Sequence, residues 1–234
     1  MLLEICANSY QSAINAQNAG ADRIELCSEL SVGGITPPYG LLKPVSDELT
    51  ILVNVLIRPR SGNFHYTNDE FQQIKSDINL CKELGLNGIV SGVLNKNDSI
   101  DIARTKELIE LSKPLSFTFH RAFDCVTNPT KSLEQLINLK VDRILTSGLQ
   151  EKAEQGIDLL IELQKLAKDK LIILPGSGIN KKNAALFKDA GFKEIHTSAS
   201  KTINEEKSVL FGNTTHSVSD IETIQEILKV IKNA

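Results

Sequence analysis

Ala19-Gly-Ala-Asp-Arg-Ile-Glu-Leu-Cys27 is one of four segments of the 234-residue chain that share a single pattern. Leu84-Gly-Leu-Asn-Gly-Ile-Val-Ser-Gly92, Leu139-Lys-Val-Asp-Arg-Ile-Leu-Thr-Ser147 and Ala190-Gly-Phe-Lys-Glu-Ile-His-Thr-Ser198 repeat it. Each leads the end of a helix into a strand through one central isoleucine. A pattern returning on every second strand fits a closed barrel whose interior layers are filled by alternate strands. An open, doubly wound parallel sheet is the weaker alternative.

Outward from these segments, strand and helix patterns alternate eight times. Strands are expected at Leu2–Ala7, Arg23–Ser28, Ile51–Arg60, Gly88–Leu94, Leu115–Phe123, Arg143–Gly148, Leu171–Pro175 and Glu194–Ser198. The helix starts carry their own signatures. Ser9 can cap the first helix, which ends at Gly20. Thr36-Pro37 places a cap before a proline at a first helical position. Thr67 and Glu70 form a capping box for a helix that buries Phe71, Ile74, Ile78, Cys81 and Leu84. Further helices are expected near residues 101–112, after Asn128-Pro129, over 152–167 and over 183–190, and Ser219 with Glu222 caps a last one. Lys201 to Val218 reads as a polar insertion. The fold expected is α/β, a (β/α)8 TIM-type barrel forming a single domain over residues 1–234.

Composition narrows the function. A 41% hydrophobic content supports one sizeable core. A net charge of −3 without a lysine- or arginine-rich tract argues against a nucleic-acid partner. A membrane role is equally unsupported, because no apolar run approaches the roughly 18 residues of a spanning helix. Strand-like sequence begins at Leu2 with no basic leader, so a cytoplasmic location is expected. There the four cysteines would remain thiols.

The repeat also assigns faces. If Ile24, Ile89, Ile144 and Ile195 point toward the helices, then Glu25, Val90, Leu145 and His196 point inward. Cys27, Gly92, Ser147 and Ser198 do so one step higher. By the same rule Glu4 and Cys6 point inward from the first strand. Two neighbouring strands therefore each present an inward Glu-x-Cys. Strands lie ~4.8 Å apart, about twice a ~2.3 Å metal–thiolate bond, so Cys6 and Cys27 could share one soft ion.

Polar residues gather at the carboxyl ends of the strands, as on the working face of a barrel enzyme. Leu115-Ser-Phe-Thr-Phe-His-Arg-Ala-Phe-Asp124 ends in His120, Arg121 and Asp124. Arg58 and Arg60 end the third strand, and they, Arg121 and His120 are candidate partners for the buried Glu4 and Glu25. Gly176, Ser177 and Gly178 follow strand seven and Ser198 ends strand eight, where barrels often cradle phosphate. Asp22-Arg23 and Asp142-Arg143 lie at the opposite ends, where pairing for stability is expected. No His-x-His, His-Glu-x-x-His, P-loop or dinucleotide fingerprint occurs. No lysine sits at the interior end of a strand for Schiff-base chemistry.

Taken together, these motifs resemble the CutC family of copper homeostasis proteins. The resemblance is carried by Leu3-Glu-Ile-Cys6, Gly20-Ala-Asp-Arg-Ile-Glu-Leu-Cys27, Gly33-Gly-Ile-Thr-Pro37, Ile57-Arg-Pro-Arg60, Thr118-Phe-His-Arg-Ala-Phe-Asp124, Asp142-Arg-Ile-Leu-Thr-Ser-Gly148 and Pro175-Gly-Ser-Gly178. It implies a β/α barrel, a cytoplasmic protein, a role in copper tolerance or trafficking, and Cu(I) bound by Cys6 and Cys27. A homodimer is compatible with the resemblance and is not specified by the sequence. Cys125 stands where the family more often has methionine, and the tail after Ser200 matches poorly.

Two functions of different classes remain. One is a Cu(I)-binding protein using Cys6 and Cys27. The other is a lyase, isomerase or hydrolase for a small anionic metabolite, phosphorylated ones included. Arg58, Arg60 and Arg121 would be its clamp, and His120 with Glu4 or Glu25 its acid and base.

Overall fold

The computed structural model describes residues 1–208 and 212–232, with side chains left aside for 205–208 and 212–214. Eight parallel strands form one sheet: β1 (Leu2–Ala7), β2 (Arg23–Leu26), β3 (Leu52–Leu56), β4 (Gly88–Ser91), β5 (Ser116–Phe119), β6 (Arg143–Thr146), β7 (Ile172–Pro175) and β8 (Glu194–Thr197). Each strand ladders to its sequence neighbour from β1 through β7, and β1 also ladders to β8. This order is that of a barrel and excludes the doubly wound sheet, whose strand order reverses at a switch point. β7 and β8 meet in contact without joining a ladder, leaving one seam. The Thr197 hydroxyl donates to Ile179 O at 2.6 Å across it.

Helices α1 (Tyr10–Ala19), α2 (Tyr39–Glu48), α3 (Asn68–Glu83), α4 (Ile102–Ser112), α5 (Pro129–Asn138), α6 (Ile157–Ala167), α7 (Ala184–Asp189) and α8 (Ile221–Lys232) cover the outside. Ile24, Ile89, Ile144 and Ile195 are all fully buried in the large core between strands and helices. Cys6, Cys27, Leu56 and Val90 form a separate small cluster inside the barrel. The alternation read from the repeat therefore holds. Both halves of the Thr67–Glu70 capping box are made, so Thr67→Ala should cost about 1 kcal/mol, read as a shift in the urea midpoint.

Several boundaries differ from expectation. α2 begins at Tyr39 with Pro38 at its cap position, and the Thr36 hydroxyl instead accepts from the Arg58 amide at 2.9 Å. The last helix is capped by Asp220, which accepts from Thr223 N at 2.9 Å, rather than by Ser219. β5 stops at Phe119, and residues Arg121–Cys125 form a 3-10 turn, which carries Arg121 and Asp124 past the strand. The stretch read as a polar insertion contains an antiparallel pair, β9 (Ser200–Ser208) and β10 (Gly212–Ser219). It is tied to the barrel where Asn8 and Asn15 donate to Ser217 O and Ser219 O. Among the described residues no helix is long and apolar enough to cross a membrane.

Candidate functional site at the barrel mouth

The ladder between β1 and β2 sets Glu4 opposite Arg23 and Cys6 opposite Glu25, and β8 sets His196 opposite Glu4. Inward side chains therefore stack in levels. At the lower level Arg23 pairs with Glu4 and, at 2.5 Å, with Glu194. Arg143 also pairs with Glu194 at 3.0 Å, and the Asn54 amide donates to Glu4 at 3.3 Å. Glu4 is thus held by Arg23 and His196, and not by Arg58, Arg60, Arg121 or His120. Arg23 and Arg143 pair at the amino ends of their strands, as expected there, but with Glu4 and Glu194, partners the sequence did not assign to them. The period that places Glu25 and Cys27 inward also places Arg23 inward, and that signal sufficed to find it.

One level higher, Cys6 Sγ and Cys27 Sγ are 3.6 Å apart, both buried and both free thiols. His196 stands beside them, its Nδ1 2.8 Å from Glu4 Oε1 and 4.0 Å from Glu25 Oε2. Ligand atoms of Cys6, Glu25 and His196 lie within 4.8 Å of one another. Electrostatics divides the two glutamates. Burial pushes the Glu4 carboxyl up, but the His196 hydrogen bond and the Arg23 charge outweigh it and hold it at about 2. Burial dominates for Glu25, raising it to about 7 against the opposing charge of His196. Burial works against a charged His196, yet the Glu25 charge and the contacts to Cys6 and Glu4 raise it well above the usual histidine range. The hydrogen bond to Cys27, then burial, raises the Cys6 thiol. A soft cation placed here would displace that thiol proton.

Above these residues a cavity of about 280 Å³ opens at the carboxyl end of the strands. Cys6, Glu25, Arg58, His120, Arg121 and His196 line it, with Ser177, Gly178 and Ser198 at the rim. Arg58 is buried and donates to Val32 O, Gly34 O and Gly62 O at 2.8–3.0 Å. Its terminal nitrogens are therefore spent on backbone carbonyls and do not form a two-pronged clamp. Gly34 offers its carbonyl from a left-handed backbone (φ +82°), and a Cβ there would meet Leu56 at 2.6 Å. Arg60 does not line the cavity. It pairs with Glu70 and donates to Asn63 O and His65 O. His120 accepts from Ala122 N through Nδ1 at 3.2 Å, and burial followed by the Arg58 charge lowers it to about 3. It is a neutral imidazole with its proton on Nε2.

Arg121 pairs with Asp124 at 2.8 Å and donates to Ser147 Oγ at 3.0 Å. Asp124 also accepts from the amides of Ser147 and Leu149, so Asp124 and Ser147 organise the loop after β6 behind the cavity. Gly176 packs where a Cβ would strike Leu145 at 2.6 Å, and the Ser177 hydroxyl is used on Glu151 O. Phe64, in a loop, and Leu30, in a 3-10 turn, also line the cavity and have no periodic pattern to reveal them. Cys125 is exposed and Cys81 is fully buried on α3.

The sequence model of the CutC family matches residues 1–201. The chain belongs to the CutC family. A CutC family protein of Parabacteroides distasonis is 46% identical over 239 residues, covering 99% of this chain and 98% of the relative. One from Proteus mirabilis is 44% identical, covering 94% and 88%. CutC from Streptococcus agalactiae, a solved structure named as a candidate copper homeostasis protein, superposes with a TM-score of 0.80 at 33% identity. That superposition covers 85% of this chain and 98% of the other. An aldolase, QR15, shares the barrel alone, at TM-score 0.66 and 15% identity. Cys6, Cys27, His120 and His196 all lie within the CutC match, whereas most of the β9–β10 hairpin lies beyond it.

Proposed function

We propose that the protein serves copper homeostasis by holding Cu(I) at Cys6 and Cys27, with His196 as a third donor. The observation that carries this reading is the 3.6 Å separation of the two sulfurs, shorter than two metal–sulfur bonds of ~2.3 Å each, so both reach one ion without backbone movement. Thiolates are the soft donors that select Cu(I), and imidazole is a common copper ligand beside them. The Glu4 carboxylate on His196 Nδ1 has the carboxylate–histidine arrangement that orients a metal-binding ring. The copper homeostasis named for the S. agalactiae relative agrees with this donor set. Four free thiols suit a reducing compartment, and we place the protein in the cytoplasm.

Cu(I) titration of the reduced protein against a competing chelator, under anaerobic conditions, tests the reading. One ion per chain should bind tightly, with affinity rising with pH as thiol protons are displaced. The Cys6→Ser/Cys27→Ser double variant should lose saturable binding, and His196→Gln should weaken it. Equal binding by the native and double-variant proteins removes the site.

A further inference from the structure

The cavity above the cysteines contains two features that copper binding leaves unexplained. Arg58 is only 6% exposed, and among the described residues no carboxylate lies within salt-bridge distance of it. Its guanidinium rests on the Phe64 ring at 5.0 Å and on three backbone carbonyls. Those carbonyls satisfy hydrogen bonds without neutralising charge. His120, 3% exposed, lines the same cavity and packs against Phe64 as well, ring to ring at 4.8 Å. Its Nε2 is buried without a partner. Because Nδ1 accepts from the chain at Ala122, Nε2 carries the hydrogen and is an unused donor. Leaving a buried donor unmatched beside an unneutralised buried charge is costly, and a protein tolerates it where a ligand supplies what is missing.

We infer that this cavity binds a small oxyanion, a carboxylate or a phosphate, with His120 Nε2–H as its direct donor and Arg58 as a fixed positive charge beside it. Arg121, more exposed and lining the same mouth, adds positive potential where the ligand enters. Arg58 contributes mainly through its field, because three of its N–H groups are given to carbonyls, while its Nε is a second buried donor without a partner. With Nδ1 accepting from Ala122 N, the neutral imidazole favoured by burial and by the Arg58 charge keeps its hydrogen on Nε2. A volume of about 280 Å³ lies just below the roughly 300–1,000 Å³ of drug-sized ligand pockets, which suits an anion of a few heavy atoms.

Two substitutions separate the donor from the fold. In His120→Asn the side-chain oxygen can still accept from Ala122 N while the Nε2–H is gone. In His120→Gln the terminal amide replaces the Nε2–H. The probes are inorganic phosphate, lactate and malonate, titrated calorimetrically into reduced, metal-free protein, with 15N NMR of the imidazole nitrogens. At least one probe should bind saturably and shift the Nε2 resonance. A response to phosphate alone names a phosphate site, and a response to the carboxylates alone names a carboxylate site. His120→Asn should weaken binding roughly tenfold or more, and His120→Gln should recover most of it. Arg58→Met should abolish binding. If its loops no longer fold, as a lost thermal transition would reveal, the His120 pair still decides. No saturable binding of any probe, or equal affinity in the native protein and His120→Asn, overturns the inference.

Discussion

Arg23→Met is expected to lower the free energy of unfolding by about 3 kcal/mol, the low end of the roughly 3–5 kcal/mol seen when one partner of a buried ion pair is removed. Arg23 and Glu4 are 3% and 1% exposed, so solvent screens little of their interaction. The low end applies because neither carboxylate is wholly abandoned. Glu4 keeps His196 and Asn54, and Glu194 keeps Arg143. Urea unfolding at pH 7 measures the change. Adding Glu4→Gln to Arg23→Met should recover part of the loss, since the uncompensated charge goes with it. A loss below about 1 kcal/mol in the single variant would mean that water reaches this network.

The second large effect is a change in the pH profile. In metal-free protein Glu25 has a folded-state value of about 7 against an ordinary 4.5. A carboxyl raised on folding contributes stability that is complete below the unfolded value and lost as pH rises through the folded one. At about 1.4 kcal/mol per unit, the total is roughly 3 kcal/mol between pH 4.5 and 8. Roughly 2 kcal/mol of it goes between pH 5 and 6.5, below the range where His196, also raised, begins to lose its own contribution. His120, lowered to about 3 on folding, gains stability over the same interval, so Glu25→Gln should rise between pH 5 and 6.5 where the native protein is nearly flat, and should exceed the native protein in stability at pH 8. Glu4 runs oppositely, since its depressed value makes its contribution complete above pH 4.5 and lost toward pH 2. With His120 gaining stability up to about pH 6 and Glu25 and His196 losing it above, unfolding curves from pH 3 to 8 would show a broad maximum between about pH 5 and 6 in the native protein. Equal slopes above pH 5 in both proteins would place the proton uptake elsewhere.

Legibility followed periodicity. Ile24, Ile89, Ile144 and Ile195 could be assigned to the outer core because strand alternation is strict, and the same count put Glu4, Cys6, Glu25, Cys27 and His196 inside. The partners of Arg58 were not legible. They are carbonyls of Val32, Gly34 and Gly62, and the direction of a loop carbonyl depends on backbone angles that no side chain announces. Side-chain type alone suggested a pair of clamps in Arg58 and Arg60, whereas loop geometry turns one onto carbonyls and the other toward Glu70. The β9–β10 hairpin escaped because the sequence of its strands is mainly polar, with no apolar alternation to reveal them. The helix caps at Thr36 and Ser219 were each misplaced by one or two residues, within the reach of a short polar side chain toward several neighbouring amides.

A barrel laddered all the way round behaves like a hooped cask, because every row of hydrogen bonds is a closed ring and widening it breaks bonds in each. Here the hoops are open at one stave. Ser177 and Gly178 follow β7 while Thr197 ends β8 and Ser198 follows it, so the gap borders the cavity directly. Spreading those two staves costs side-chain packing and the Thr197–Ile179 clasp, with no strand ladder to break. The wall therefore resists widening least along this seam, while the ladders running from β8 through β1 to β7 keep the cysteines and His120 in register.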